Sequence, residues 1–157
     1  MEELTRKTNE TTVLFVRSGS KAICIEQVTS NRLVRLSIEN GRVLPLHSGA
    51  SGKALLAFES DKIISEMLKA QAAGTNGASI AEQLEEIRAS GYCMTLGEVD
   101  SDVFAIAAPI FDTQNRAIAS LSVAGPIHRL EQDSIPPAIQ FVKDAAAKIS
   151  QKLGAVM

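Results

Sequence analysis

A chain of 157 residues, 45% hydrophobic and 22% charged, has the make-up of one globular domain with length enough for a proper core. Its formal charge of −2 comes from scattered acids and bases that form no basic stripe, and with no Trp and one Tyr it offers no aromatic platform for nucleic-acid bases. No apolar run approaches the ~20 residues of a membrane span and no leader pattern opens the chain, so a cytoplasmic protein without membrane contact is expected.

In chain order, Glu2 to Glu10 reads as a short polar helix with Leu4 its one strong apolar residue. Thr12 to Val16 and Lys21 to Thr29, joined by Ser18-Gly19-Ser20, read as a β-hairpin, although the alternation in the second run is only approximate. Cys24 lies in that run and Cys93 far from it, without metal or redox spacing; both read as reduced core residues. Leu33, Leu36 and Ile38 suggest another short strand, Asn40-Gly41 a turn, and Arg42 to Leu46 a lead into a bend of small residues.

That bend opens the most informative stretch, Leu44 to Phe58. An apolar segment passes Pro45, turns through Ser48, Gly49, Ala50, Ser51 and Gly52, and becomes a helix rich in Ala and Leu. The first turn of a helix lacks internal acceptors and carries the positive end of the dipole, so its N–H groups suit a small anion such as a carboxylate. The plain alternative is a tight strand-to-helix joint that needs small residues for packing. A phosphate-binding loop is rejected, since His47 and Ala54 stand where Gly and Ser or Thr are required. A nucleophile elbow fares little better: Gly49 precedes Ser51, but Lys53 replaces the second Gly.

Ser60 can cap a second helix presenting Ile63, Ile64, Met67 and Leu68. Gln71 to Gly77 reads as a loop. Ser79 and Glu82 form a capping-box pattern for a third helix through Ile80, Leu84 and Ile87, ended by Ser90-Gly91. Tyr92 to Leu96 is a strand and Gly97 to Asp102 an acidic connection. Val103 to Phe111 and Ala117 to Ala124 form a hairpin through Asp112-Thr113-Gln114-Asn115, with Asn115 suited to a left-handed conformation. Pro109 marks an edge or a bulge, and Gly125-Pro126 ends the hairpin. A last helix begins at Ser134, uses Pro136 in its first turn and ends at Gly154; Ile135, Ile139, Val142, Ala146, Ile149 and Leu153 mark its buried side. Segregated strands and helices predict an α+β fold with an antiparallel sheet.

Taken together, Leu44-Pro-Leu-His-Ser-Gly-Ala-Ser-Gly-Lys-Ala-Leu-Leu-Ala57, Gly91-Tyr92 with Glu98, Ala105-Ile-Ala-Ala-Pro-Ile-Phe-Asp112 and Leu121-Ser-Val-Ala-Gly-Pro126 with Arg129 resemble the IclR family of bacterial transcription regulators. Leu4, Thr8, Glu10 and Thr11 resemble the start of that family's C-terminal domain. The resemblance implies a GAF-like effector-binding domain over residues 1–157, with helices on an antiparallel sheet and a pocket for a small organic carboxylate. It also implies that the winged helix-turn-helix domain is absent from this chain, that any DNA contact belongs to that missing part, and that the protein works as a homodimer or homotetramer, commonly as a repressor. No cofactor or metal is implied.

By the same resemblance, main-chain N–H groups at Ala50 and Ser51 would hold the carboxylate, with Gly49 beside them in the effector site. Ser122 and Ala124 would line the pocket from one face of the last strand, Thr95 from the strand after Gly91-Tyr92 and Ala105 from the strand after that, and Leu33, Leu36 and Leu44 would form apolar walls. Ser122 retains a hydroxyl; Thr95, Ala105 and Ala124 depart from the polar residues of family members that take small keto acids. An unpartnered buried polar group costs ~1–3 kcal/mol, so the expected effector is a larger or more apolar acid, aromatic or sugar-derived. Plain core packing is the alternative for Thr95, Ala105 and Ala124. Two rival functions are weighed: a small hydrolase drafted from Ser51, His47 or His128, and the acids Glu98, Asp100 and Asp102, and a dimerisation module whose pocket is vestigial. Neither displaces the reading of a non-enzymatic sensor.

Overall fold

The computed structural model describes residues 1–71 and 77–156, apart from the side chains of 70, 71 and 77–79. Helix α1 (Glu2–Thr8) precedes β1 (Thr11–Ser18) and β2 (Lys21–Val28), and a short β3 (Val43–Pro45) leads to α2 (Ala50–Leu56). Helices α3 (Asp61–Gln71) and α4 (Gly77–Ser90) follow, then β4 (Cys93–Leu96), β5 (Val103–Phe111), β6 (Ala117–Pro126) and α5 (Ile135–Lys152). The six strands form one antiparallel sheet in the order β3-β2-β1-β6-β5-β4, so the fold is α+β as expected.

The sheet separates two cores. Strand side chains alternate between faces, so Val13, Phe15 and Ala107 pack with α2 and α4, whereas Ile106, Ile110, Leu121 and Val123 pack with α5 and with Leu4 of α1. The imperfect alternation in β2 has a physical source. Leu14 pairs with Glu26 and Phe15 with Cys24, leaving Ile25 as an extra residue that bulges out of the ladder. Pro109 lies past the point where β4 stops, on a free edge of β5, and the register shifts just beyond it between Ile110 and Phe111. Asn115 takes the left-handed conformation at φ 58°. Both cysteines are free and buried.

Several expectations need correction. Leu33, Leu36 and Ile38 form no strand; residues 29–42 run irregularly along the sheet. The outer edge of β2 is paired with β3 only from Lys21 to Ile23. Farther along, the Gln27 side-chain amide takes the place of a neighbouring strand: Ile38 N–H donates to its oxygen at 2.9 Å, and its nitrogen donates to the Ile38 carbonyl. Strand β6 continues through Gly125 and Pro126 instead of ending before them. Helix α4 starts at Gly77, ahead of the Ser79–Glu82 pattern, and the Ser79 side chain and most of the Gln71–Gly77 loop lie outside the described residues. The last apolar position expected on the buried side of α5, Leu153, is exposed and caps the helix just after its end at Lys152.

Candidate functional site

Helix α2 has no exposed face: all of its residues are buried, Lys53 included. Such a helix can dock only through small residues. A Cβ on Gly52 would sit 2.6 Å from the Pro45 carbonyl oxygen, and one on Gly49 would meet Val99 Cγ2 at 2.7 Å. Gly49 also has φ 80°, which favours glycine. Its N–H donates to Glu98 Oε1 at 3.3 Å, whereas the N–H groups of Ala50 and Ser51 have no backbone acceptor among the described residues.

Facing this bend is a row of small side chains. Thr95 of β4 pairs with Ala105 of β5, and Ala105 pairs with Ala124 of β6, so the three lie side by side; Ser122 stands two residues from Ala124 on the same face. Between the row and Gly49, Ala50 and Ser51 is a cavity of about 50 Å³, walled by Phe15, Leu36, Leu44 and Val103. Ser51 Oγ donates to Ser122 Oγ at 3.2 Å, so both hydroxyls have a partner without any ligand. Leu36 is fixed by its carbonyl, which accepts from buried Thr11 Oγ1 at 2.6 Å.

Leu33 does not join this group. It is 99% exposed, because the 29–42 segment is anchored inward at Ser30, Leu36 and Ile38 while the residues between Ser30 and Leu36 pass outside the wall. Other residues of the site were not anticipated. Arg42 and Asp100 border the cavity and pair across its rim at 3.6 Å, both substantially exposed, and Val99 lies over Gly49. Lys53 Nζ lies 2.8 Å from the Glu98 carboxylate and donates to Gln83 Oε1 at 2.7 Å. The signal was present in the sequence: a lone Lys within the apolar run Ala50–Phe58 must find an acid if it is buried.

The hydrolase constellation is not assembled. Ser51 spends its hydroxyl on Ser122, and half-buried His47 makes no side-chain hydrogen bond among the described residues. Desolvation, followed by the nearby Lys21 charge, holds the His47 imidazole below its ordinary pKa. No group of His, Cys, Asp and Glu among the described residues could hold a metal ion, and no helix among them is long and apolar enough to cross a membrane.

Residues 1–151 match the family description "Bacterial transcriptional regulator IclR C-terminal". The chain is 35% identical over 161 residues to the HTH-type transcriptional regulator KipR of Bacillus subtilis, covering 98% of this chain and 64% of that protein. It is 29% identical over 161 residues to the HTH-type transcriptional repressor AllR of Klebsiella pneumoniae, with 98% and 59% covered. The crystal structure of the Thermotoga maritima IclR superposes with a TM-score of 0.89 at 28% identity, over 98% of this chain and 65% of that one. The chain thus spans about six-tenths of the length of these relatives.

Proposed function

The chain belongs to the IclR family of bacterial transcriptional regulators, matching its C-terminal domain, and from that premise we propose that it is the small-molecule sensor of a DNA-binding repressor. Residues 1–157 act as the effector domain, and DNA contact is made by a separate winged helix-turn-helix domain. Similarity to a protein named as a repressor supports the sign of the regulation. The protein senses and does not catalyse, in keeping with a Ser51 hydroxyl committed to Ser122.

The observation that carries the reading is the cavity at the start of α2. Unclaimed N–H groups of Ala50 and Ser51 face an otherwise largely apolar lining, with Ala105 and Ala124 offering only methyl groups. A carboxylate seats on the main chain, and the rest of the effector lies against Phe15, Leu36 and Leu44. That pattern favours an aromatic or sugar-derived acid over a two- or three-carbon keto acid, whose polar atoms would lack partners.

A space of about 50 Å³ is far smaller than the ~300–1,000 Å³ of ligand pockets, so the effector must part the walls. The rim is cheap to open: the Arg42–Asp100 pair is exposed and worth ~1 kcal/mol or less, and Val99 is itself 42% exposed. A ligand that binds the opened arrangement shifts the domain, or its dimer or tetramer, toward the state that carries it, and this difference reaches the DNA-binding part. Calorimetric titration with glyoxylate, pyruvate, benzoate and gluconate tests the proposal. Benzoate or gluconate should bind more tightly than either keto acid, and Ala124→Phe, which fills the cavity, should abolish the heat. Micromolar binding of glyoxylate or pyruvate would overturn the size preference.

A further inference from the structure

A larger cavity, of about 360 Å³, lies on the opposite face of the same strands. Its floor is Phe104 of β5 and Val123 of β6, only 3% and 1% exposed, and Leu130 and Phe141 extend the apolar surface toward α5. The volume falls within the ~300–1,000 Å³ usual for small-molecule sites. Val123 stands between Ser122 and Ala124, so the two cavities lie back to back across one strand.

The charges around this cavity are Lys7, Glu10, Arg32, Arg129 and Glu131. Arg129 and Glu10 are bound to each other, 16% and 8% exposed, and neutralise one another. Lys7 pairs at the surface with Glu3 at 3.1 Å, both partners about half exposed, and its ammonium lies 5.3 Å from the centre of the Phe141 ring at the edge of the cavity. Arg32 donates through Nε to the Asn9 carbonyl at 3.1 Å and has no carboxylate partner among the described residues. Against Glu131 this leaves two cations at the mouth of an apolar floor. We infer that this second cavity is a binding site for an amphiphilic organic anion, with its aromatic or alkyl body on Phe104 and Val123 and its charged group toward Arg32 and Lys7. It is separate from the site at α2 and does not depend on what that site binds.

The test is a 1H–15N NMR titration of the chain with phenylacetate, using phenethyl alcohol as the uncharged counterpart. Saturable shifts are expected at Phe104, Val123, Leu130 and Phe141. Arg32→Glu should weaken binding roughly fivefold, the scale of one exposed charge contact reversed, and the alcohol should bind more weakly by a similar factor. Ala138→Trp, which projects a ring from α5 into the cavity, should abolish the shifts. Ala124→Phe plugs the first cavity and should leave them unchanged, so failure at one site is distinguished from failure at the other. The proposal is overturned if no saturable shift develops in the millimolar range, if the shifts are confined to Ala105, Ala124 and their neighbours, or if the alcohol binds as well as the acid.

Discussion

Burial acts on single residues most plainly at Cys93. Its thiol sits opposite Ala107 within the core under α2, 5% exposed, and burial pushes its pKa up to about 11 from an ordinary 9.0; Lys53 pulls weakly the other way. The folded chain therefore keeps a neutral thiol where the unfolded chain would ionise. The resulting stability is complete below pH 9 and is lost as pH rises toward 11. At about 1.4 kcal/mol per unit, the loss is on the order of 2 kcal/mol. Denaturation midpoints measured from pH 8 to 11 should fall less steeply in Cys93→Ala than in the parent chain. At this scale the sequence marks the small residues well: Gly49, Ala50, Ser51, Ala105 and Ala124 meet around one cavity. It hides partnerships such as Lys53 with Glu98, because 45 positions separate them and only the fold brings them together.

Among the elements, α2 depends most on what its residues lack. Its close approach to the end of β3 leaves no room at Gly52, where even a methyl group would collide with backbone atoms of Pro45 and Leu46. Backbone cannot swing aside as a long side chain can. Gly52→Ala should thus cost about 1–3 kcal/mol, read as a lower urea midpoint, despite the better helix propensity of Ala. The strands β1, β5 and β6 were legible as β-branched or apolar runs buried on both faces of the sheet, and most of α5 because it buries one regular face. The 29–42 segment was misread for the opposite reason. Its apolar spacing imitates a strand, but the edge it would join is occupied by β3 and then by the Gln27 amide, a competition local sequence does not record. Leu33, expected in the pocket wall from the family resemblance, faces solvent.

Across the whole molecule, Arg129 joins parts of the chain that lie far apart in sequence. Its guanidinium binds Glu10, 119 positions away, and donates to the Val34 carbonyl, tying the end of β6 to the start of β1 and to the segment that walls the first cavity. Removing it strands a carboxylate that is 8% exposed. Arg129→Ala should lower stability by about 3 kcal/mol in chemical denaturation, and the double substitution with Glu10→Gln should recover part of that loss. If Arg129→Ala proved neutral, the pair would be ornamental to the fold.

The strand order also sets a timetable. β1 lies between β2 and β6, and β6 begins at Ala117, so a chain made from its N-terminus completes the first hairpin long before the second neighbour of β1 exists. At roughly 5–20 residues per second, the interval from Ser18 to Ala117 lasts on the order of 5–20 s. Throughout it, β1 carries Val13 and Phe15 on one face, Leu14 and Val16 on the other, and an open edge suited to any passing strand. The nascent hairpin is therefore the stage at which this domain most needs shelter, and crowded synthesis at high temperature is where its yield should first fail.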